Sequence, residues 1–376
     1  MIVKNLKLKN YRNYSQLDIE LSDKLNIFIG NNAQGKSNIL ESIVVLALTK
    51  SYMSVKDENL IKDNEEVAIV SSDVITSGLE DNLFISFNDK VKKIKVNNVE
   101  IKKYSDYISK IRFVLFSPLD ISLIKDSPSV RRKYFNVEIS QLSNNYIKLL
   151  QKYNAILKKR NQFLKTVNDI GISNDYYLDI LNDTFSTLAV EITLERKKFL
   201  DKLNDNLDNI YYEITNYKGL FINYVNSISI DEDKDKMKEL FLKKLKDNYN
   251  RDKIYGMTMI GPHRDDYMMV LEDKDLSIYG SQGQNRSAIL ALKLSELSIF
   301  KEITGDYPIL LLDDIFSELD IDKRNRLVKY ILSDIQTIIT TTDLNMIDES
   351  LVSKAKIFNV SGGNVVVLEK EGNKHE

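Results

Sequence analysis

The chain has 376 residues, of which 43% are apolar and 29% are charged, and its formal net charge is −2. The length predicts two lobes or domains rather than one compact core. The absence of cysteine excludes a disulfide framework, a thiolate metal site and a cysteine nucleophile. Because the net charge is slightly negative, any nucleic-acid surface must be a local basic patch.

Residues 1–14 alternate between apolar and polar side chains and contain no continuous apolar region of the kind found in signal peptides. The longest tight apolar run, Ile309–Leu312, has the length of a strand. It is far shorter than the roughly 18 residues needed to span a bilayer. We therefore expect a cytoplasmic protein without a membrane partner.

Hydrophobic periodicity predicts α/β segments at both ends of the chain, with helices between them. The first part is predicted to contain strands at 2–8 and 25–29, a helix at Ile39–Leu48 and an antiparallel sheet within 67–101, with a hairpin turn at Asn97-Asn98. Two antiparallel helices of about 25–30 residues follow, with a break at Asn168–Asn174 around Gly171, and Asp231–Tyr249 is also predicted to be helical.

The last part of the chain returns to strand-like patterns. Strands are predicted at 257–260, 267–271, 308–312, 337–342, 358–360 and 365–368, and helices at Ser287–Phe300 and Asp322–Leu332. We expect residues 1–125 and 255–376 to form one α/β lobe. Residues 126–254 are expected to form a mainly helical lobe inserted between its two halves.

The strongest motif is the phosphate loop, Gly30–Ser37, which matches G-x-x-x-x-G-K-[ST] and lies between a predicted strand and a predicted helix. Its glycines let consecutive N–H groups point at phosphate oxygens, and the helix N-terminus favours the same anion. Lys36 supplies positive charge to the outer phosphates, and Ser37 supplies a hydroxyl to Mg²⁺. The predicted ATP-binding residues are Gly30, Asn31, Asn32, Ala33, Gln34, Gly35, Lys36, Ser37 and Asn38.

A second motif is the apolar run at 308–312 that ends in Asp313 and Asp314. Two carboxylates at the end of a buried strand are costly unless a cation accompanies them. We expect Asp313 to hold Mg²⁺, directly or through water, and Asp314 to orient or deprotonate the attacking water. The alternative is a strand end followed by a helix N-cap.

A third motif, Ser281–Arg286, precedes an apolar helical pattern. Ser281 and Gly283 at a helix start would form another anion-accepting terminus. Since the phosphate loop already supplies one such terminus, this motif is expected to complete a site on another copy of the chain. An ordinary N-capped helix is the equally supported alternative.

Together these motifs and Ser317–Asp320 resemble the ATPase head of the ABC/SMC superfamily. Further stretches resemble the RecF family of bacterial recombination proteins: Asn10–Tyr14, Ser117–Asp120, Ser127-Pro128 with Arg131-Arg132, Leu157–Asn161 and Gly261–Asp266. The resemblance implies an α/β fold, namely a P-loop ABC/SMC-type ATPase head with an inserted α-helical lobe.

The resemblance also implies an ATP-dependent homodimer that sandwiches two nucleotides. Ser281, Gln282, Gly283 and Gln284 would then act as a signature on the nucleotide of the other copy. Glu318 and Asp320 would lie in the loop that communicates across the dimer, and Arg12 would lie near the nucleotide of its own copy.

For function, the resemblance implies a DNA-binding recombination mediator that works with RecR, RecO and RecA at the nucleoid in gap repair, replication restart and SOS induction. The expected DNA is duplex next to single-stranded gaps. Many ABC ATPases have Glu where this chain has Asp314, so we expect weak, DNA-stimulated hydrolysis with Lys36 and Asp314 as catalytic residues.

Other features leave alternatives open. Arg131, Arg132, Lys158 and Lys159 are candidate DNA contacts, although solvated helix faces carry similar clusters. Thr340–Asp343 occupies the place of the switch histidine of many ABC ATPases, and Ser117–Asp120 is the candidate substitute for their Gln loop. The alternative function is an ABC-type ATPase subunit of another DNA-associated or transport machine.

Overall fold

The computed structural model describes residues 1–53, 56–88, 91–170, 175–332 and 334–368. The strands are β1 (Ile2–Val3), β2 (Asn5–Tyr11), β3 (Tyr14–Glu20), β4 (Leu25–Ile29), β5 (Ala68–Thr76), β6 (Leu79–Phe87), β7 (Lys92–Val96), β8 (Val99–Glu100), β9 (Phe113–Phe116), β10 (Leu220–Val225), β11 (Asp266–Leu271), β12 (Lys274–Asp275), β13 (Ile309–Asp313), β14 (Thr337–Thr341), β15 (Lys356–Ser361) and β16 (Asn364–Leu368).

The helices are α1 (Lys36–Leu48), α2 (Ser122–Lys125), α3 (Pro128–Leu142), α4 (Asn144–Ile170), α5 (Asp175–Thr215), α6 (Lys234–Asp247), α7 (Tyr249–Tyr255), α8 (Leu276–Tyr279), α9 (Gln282–Thr304), α10 (Ile321–Ile331) and α11 (Glu349–Val352). The chain divides into two compact units. Unit 1 contains Met1–Asp120 and Ile289–Glu376, and unit 2 contains Ile121–Ala288.

Unit 1 contains a six-stranded sheet in the order β16-β15-β4-β14-β13-β9. All neighbours in it are parallel except β16, which pairs antiparallel with β15. Four residues of β13, Ile309–Leu312, have no exposed surface, which explains a continuous apolar run rather than an alternating one. Because parallel strands end at one edge, the segments that follow β4, β13 and β14 lie side by side.

The second sheet of unit 1 is antiparallel, as its alternating pattern predicts. It has the order β3-β2-β5-β6-β7-β8, and β1 also pairs with β5. Asn97 and Asn98 both have positive φ, at 50° and 66°, and they join β7 to β8. Positive φ at both central residues is the requirement of a type I′ turn, so the predicted hairpin is confirmed.

Helix α1 lies in the core of unit 1, between residues of both sheets. All nine residues of Ile39–Ala47 are buried, and the same apolar cluster includes Leu8, Phe28 and Leu311. A helix that is buried on all sides is surrounded by protein rather than exposed along one polar face. The packing of α1 therefore fixes the direction in which the preceding phosphate loop enters the helix.

Unit 2 is mainly helical and contains the predicted helix pair. Helices α4 and α5 pack against each other, and α5, with 41 residues, is longer than predicted. The predicted break at Asn168–Asn174 is described only up to Ile170, and Gly171 lies outside the described residues. A three-stranded antiparallel sheet, β10-β11-β12, completes this unit.

Two expectations differ from the structure. The predicted strand at 257–260 is wrong, because helix side chains bind its backbone: Asn161 accepts a hydrogen bond from Thr258 N and Asp252 accepts one from Met259 N. The compact units also divide the chain at 288/289 rather than 254/255. The physical reason is that β11 pairs along its whole length with β10, a strand of unit 2.

Candidate functional site

The phosphate loop connects the end of β4 to the start of α1, which is the local context that the sequence predicts. A Cβ at Gly30 would lie 2.2 Å from the Val360 carbonyl oxygen. Gly35 has φ of +110°, and a Cβ there would lie 2.5 Å from Asn13 Nδ2. Both positions therefore require glycine, because any side chain would displace the neighbouring segment.

The β2–β3 and β15–β16 hairpins hold the phosphate loop in this shape. Asn13 Nδ2 donates to Gln34 O over 2.9 Å, and the Tyr14 hydroxyl donates to Gly35 O over 3.0 Å. From the other side, Gln34 Oε1 accepts a hydrogen bond of 2.6 Å from Gly362 N, in the β15–β16 turn. The side chain of Asn38 donates to Asn13 Oδ1 over 2.8 Å. Asn31, Asn32 and Ala33, by contrast, are exposed at the tip of the loop.

The side chain of Lys36 folds back over the loop. Its Nζ donates to the carbonyl oxygens of Gly30 (2.7 Å) and Asn31 (2.8 Å). Burial lowers the pKa of Lys36, whereas the carboxylates of Asp314 and Asp313 act to raise it. A cation held among carbonyl oxygens above a helix N-terminus is positioned to bind an anion in the loop.

The carboxylate of Asp313 receives hydrogen bonds from three hydroxyl groups. Its Oδ1 accepts from Ser37 Oγ over 2.8 Å and from Thr340 Oγ1 over 2.7 Å. Its Oδ2 accepts from the Tyr52 hydroxyl over 3.2 Å. The strand order places β14, which carries Thr340, between β4 and β13, so these contacts follow from the topology.

Asp314 differs from Asp313 in its backbone and its surroundings. It has φ of +50°, and its N–H points at Thr340 O over 3.1 Å. It precedes a short 3₁₀ turn, Ile315–Ser317, but its side chain makes no capping hydrogen bond there, contrary to the N-cap alternative. Burial raises the pKa of the Asp314 carboxyl, while the Lys36 ammonium acts against that shift.

These residues fit Mg²⁺ and a nucleotide phosphate in their chemistry. Mg²⁺ prefers hard oxygen ligands, and it is usually held by one or two carboxylates, a hydroxyl and the substrate phosphates. The Ser37 hydroxyl and the Asp313 carboxylate supply such oxygens 2.8 Å apart. The glycine loop and the helix N-terminus beside them supply the N–H groups that phosphate oxygens accept from.

Arg12, predicted to lie near the nucleotide, forms a bidentate ion pair with Glu41 of α1. Arg12 Nε donates to Glu41 Oε2 (2.8 Å) and Nη2 donates to Oε1 (2.6 Å). Glu41 is fully buried and also accepts hydrogen bonds from the Tyr11 and Ser51 hydroxyls. The Glu41 carboxylate raises the pKa of Arg12. Because Glu41 lies one helical turn beyond Ser37, Arg12 is held against the helix that follows the phosphate loop.

The predicted signature, Ser281–Gln284, lies at the start of α9, and all four residues are exposed. Ser281 N donates to Gln284 Oε1 and Gln284 N donates to Ser281 Oγ, over 2.9 and 3.2 Å. This reciprocal capping box is the arrangement of an N-capped helix. Apart from its chain neighbours and the backbone of its own helix, no described atom lies within 4 Å of a Cβ built at Gly283, so no packing contact in the described part of the chain requires glycine there.

Asp320, predicted to communicate across a dimer, caps α10. Its Oδ1 accepts from Lys323 N over 3.0 Å and its Oδ2 pairs with Lys323 Nζ over 2.7 Å. These hydrogen bonds lower the pKa of Asp320. Glu318 lies between Asp320 and the end of the 3₁₀ turn and is half-buried.

The four candidate DNA contacts fall into two groups. Arg131 forms a bidentate pair with Asp266 (2.7 and 2.9 Å), and Arg132 Nη1 donates to Asp265 O over 2.8 Å. Both arginines are therefore committed to contacts within unit 2. Lys158 and Lys159 are exposed on α4, and their ammonium groups are the more accessible cations.

Several residues of this site were not among the predicted site residues. Asn13 and Tyr14, which lie in the Asn10–Tyr14 stretch, hold the phosphate loop, and Thr340 and Tyr52 hold Asp313. Thr340 could have been found by pairing the predicted strands, because it stands opposite Asp313 in the register of β13 and β14. Ser117–Asp120 directly follows β9, the other neighbour of β13.

The chain is similar to known proteins over nearly its whole length. A profile of the RecF/RecN/SMC N terminal domain family matches residues 2–365. The DNA replication and repair protein RecF of Clostridium botulinum (strain Alaska E43 / Type E3) is 43% identical over 372 residues, covering 97% of this chain and 100% of that protein.

Solved structures of the same family share the fold of this chain. The structure described as the recombination mediator protein RecF-ATP in the RecFOR pathway is 33% identical, covers 98% of both chains and superposes with a TM-score of 0.91. An Smc head bound to the C-winged helix domain of ScpA, at 17% identity, shares the fold with a TM-score of 0.55. Among the helices of the described residues, none has both the length and the apolar character that crossing a membrane requires.

Proposed function

The chain belongs to the RecF family of DNA replication and repair proteins, and from this premise we propose that it is an ATP-switched DNA-binding recombination mediator with weak, DNA-stimulated ATPase activity. Two copies would close on ATP and hold DNA, and slow hydrolysis would reset them. The proposed roles are gap repair, replication restart and SOS induction at the nucleoid.

The observation that carries this proposal is the contact between Ser37 and Asp313 beside the folded-back Lys36. In the proposed site, Ser37 and Asp313 hold Mg²⁺, directly or through water, and Lys36 binds the outer phosphates. Bound Mg²⁺ would neutralise phosphate charge. Asp314, which directly follows the proposed metal ligand, would orient or deprotonate the attacking water.

The proposal treats the phosphate loop as half of a composite site. The exposure of Ser281–Gln284 and the open space at Gly283 support closure against a second copy of the chain. The capping box is compatible with this, since the start of a capped helix still presents its positive end. Glu318 and Asp320 would report closure across the dimer, and Arg12 would stand beside the nucleotide of its own copy.

The partners are proposed from the family. A RecF structure 33% identical to this chain is described within the RecFOR pathway, so we include RecO and RecR as partners, with RecA loading as the outcome. The proposed DNA is duplex next to a single-stranded gap. Lys158 and Lys159 are the proposed phosphate contacts, whereas Arg131 is paired with Asp266 and Arg132 donates to the Asp265 carbonyl oxygen.

Sedimentation velocity tests the composite site. The wild type, Lys36→Arg and Ser281→Arg are compared without ATP, with ATP and Mg²⁺, and with both plus gapped DNA. We expect ATP to shift the wild type to a dimer, more strongly with DNA, and both variants to remain monomeric. Lys50→Arg and Ser350→Arg, at exposed positions, are the matched controls and should dimerise.

Each variant separates one step of the proposal. Lys36→Arg should bind ATP poorly, whereas Ser281→Arg should bind ATP with wild-type affinity and fail only to dimerise. A wild type that stays monomeric with ATP and DNA contradicts the composite site. If the Ser281→Arg variant dimerises normally, Ser281 has no role in the dimer interface and serves only to cap α9.

A further inference from the structure

Tyr52 belongs to no recognised motif, yet its hydroxyl contacts the carboxylate proposed to hold the metal. It donates to Asp313 Oδ2 over 3.2 Å, whereas the Ser37 and Thr340 hydroxyls both donate to Oδ1. In the described part of the chain, Tyr52 is thus the hydrogen-bond partner of the second carboxylate oxygen of Asp313.

A carboxylate on a short side chain rotates easily about its last bond, because that torsion has only broad, shallow preferences. Donors on Oδ1 alone leave the carboxylate of Asp313 free to tilt about that oxygen. A third donor on Oδ2 fixes the plane of the group. This hydrogen bond therefore constrains the orientation of the carboxylate as well as its position.

Tyr52 is itself held in place. Its ring packs against the apolar core of unit 1. A phenol carries its proton at neutral pH and an ionised carboxylate can only accept, so the Tyr52 hydroxyl is the donor of this hydrogen bond.

The residue before Tyr52 anchors the same turn to α1. Ser51 Oγ donates to the buried Glu41 carboxylate and accepts a hydrogen bond of 2.9 Å from Met53 N. Glu41 is also the partner of Arg12. A continuous series of contacts thus runs from Arg12 through Glu41 and Ser51 to Tyr52 and ends at Asp313.

From this geometry we infer that Tyr52 is a positioning residue for metal binding, holding Oδ2 of Asp313 so that Oδ1 stays beside the Ser37 hydroxyl. The inference rests on the proposed nucleotide site. It assigns to the turn after α1 a role in the affinity for Mg²⁺ that none of the sequence motifs assigns to it. The Glu41–Ser51 contact would keep this turn, and therefore the Tyr52 hydroxyl, at a fixed position relative to the phosphate loop.

The test removes only the hydroxyl, in Tyr52→Phe. Binding of a fluorescent ATP analogue is measured while Mg²⁺ is titrated, and the half-saturating Mg²⁺ concentration is compared with that of the wild type. We expect it to rise about tenfold, as is usual when a residue orienting a metal ligand is removed. Binding of the analogue without Mg²⁺ should stay unchanged.

Tyr107→Phe is the matched control. The Tyr107 hydroxyl is buried in the same unit. It donates to Leu46 O of α1 over 2.6 Å rather than to the Asp313 carboxylate. This variant should lose a similar amount of stability and keep the wild-type dependence on Mg²⁺. Melting curves of both variants, with binding measured at low temperature, separate lost folding from lost metal affinity.

A second readout is the electron paramagnetic resonance spectrum of Mn²⁺ bound together with ATP. A loosely oriented carboxylate should broaden the lines in Tyr52→Phe and leave those of Tyr107→Phe unchanged. A wild-type Mg²⁺ dependence in Tyr52→Phe, or an equal shift in Tyr107→Phe, overturns the positioning role alone. A wild type whose ATP binding ignores Mg²⁺ contradicts the proposed metal site, and the inference fails with it.

Discussion

At the scale of single residues, both units contain charged groups that are buried together with their partners. In unit 2, Arg160 pairs with Asp252 over 2.7 Å and Arg196 pairs with Asp265 over 3.1 Å, and all four side chains are almost completely buried. Removing one member of such a pair leaves an unpaired buried charge and is strongly destabilising. Asp265 belongs to the Gly261–Asp266 motif, so part of that motif stabilises the packing of unit 2.

His263 belongs to the same motif and is held as a neutral ring. Its Nδ1 is 2.6 Å from the Tyr153 hydroxyl and its Nε2 is 2.9 Å from Thr258 O. A neutral imidazole satisfies both contacts, donating to the carbonyl and accepting from the hydroxyl. Burial is the main cause that lowers the pKa of His263 from 6.5 to about 4.

This shift predicts a loss of stability at mildly acidic pH. Between the two pKa values the unfolded chain binds more protons than the folded one, so stability is complete above pH 6.5 and falls as the pH approaches 4. We expect His263 to account for a decrease of about 2 kcal/mol in the free energy of unfolding from pH 7 to pH 5.

Urea unfolding of the wild type and His263→Gln at both pH values measures this contribution. The variant should be less stable than the wild type at pH 7 and should show a smaller decrease on acidification. Equal pH dependence in the two proteins would mean that folding does not lower the pKa of His263.

At the scale of elements, the start of α9 combines a structural and a proposed binding role. Ser281 and Gln284 cap each other across the first turn. Gly283 lies within that turn, where glycine is a poorer helix former than alanine. A glycine that weakens its own helix, although a Cβ there would meet open space, is understandable if another molecule must approach it closely.

Substitution at Gly283 should separate folding from dimer formation. Gly283→Ala should keep or raise the free energy of unfolding, by up to roughly 1 kcal/mol, because alanine favours the helix and meets open space. Gly283→Glu should fold as well but abolish the ATP-dependent shift in sedimentation, because a carboxylate would face the nucleotide phosphates. ATP-dependent dimers of Gly283→Glu would show that this turn stays outside the interface.

At the scale of the whole molecule, the distribution of charge limits where the proposed DNA contacts can lie. The net charge is −2, so attraction to DNA must come from local groups of cations. Many basic side chains are already paired, as Arg131 is with Asp266 and Lys110 with Asp81. Exposed adjacent lysines such as Lys158 and Lys159 are left as candidates.

Charge reversal at these lysines should weaken DNA binding and its salt dependence together. In Lys158→Glu/Lys159→Glu, we expect the slope of log affinity against log salt to fall by up to about 2, since each phosphate contact contributes close to 1. Lys102→Glu/Lys103→Glu changes the net charge equally at exposed positions of unit 1 and is the control. Equal losses in the two double variants would indicate a general charge effect and would contradict a specific contact.

The sequence by itself determined the parts of this protein that local patterns encode. The strand, glycine loop and helix at Leu25–Leu48 follow from residues close in the chain, because backbone turns and apolar periodicity are local properties. The Asp313 carboxylate at the end of a buried strand was predictable for the same reason. So was the Asn97-Asn98 hairpin.

Only the tertiary structure decided which distant residues complete the site. Tyr52 and Asp313 are separated by 261 positions, and Gln34 and Gly362 by 328. No local pattern specifies such contacts, because they depend on the order and register of strands that pair after the chain has folded. The strand wrongly predicted at 257–260 has the same cause, since side chains from α4 and α7 bind its backbone instead of a neighbouring strand.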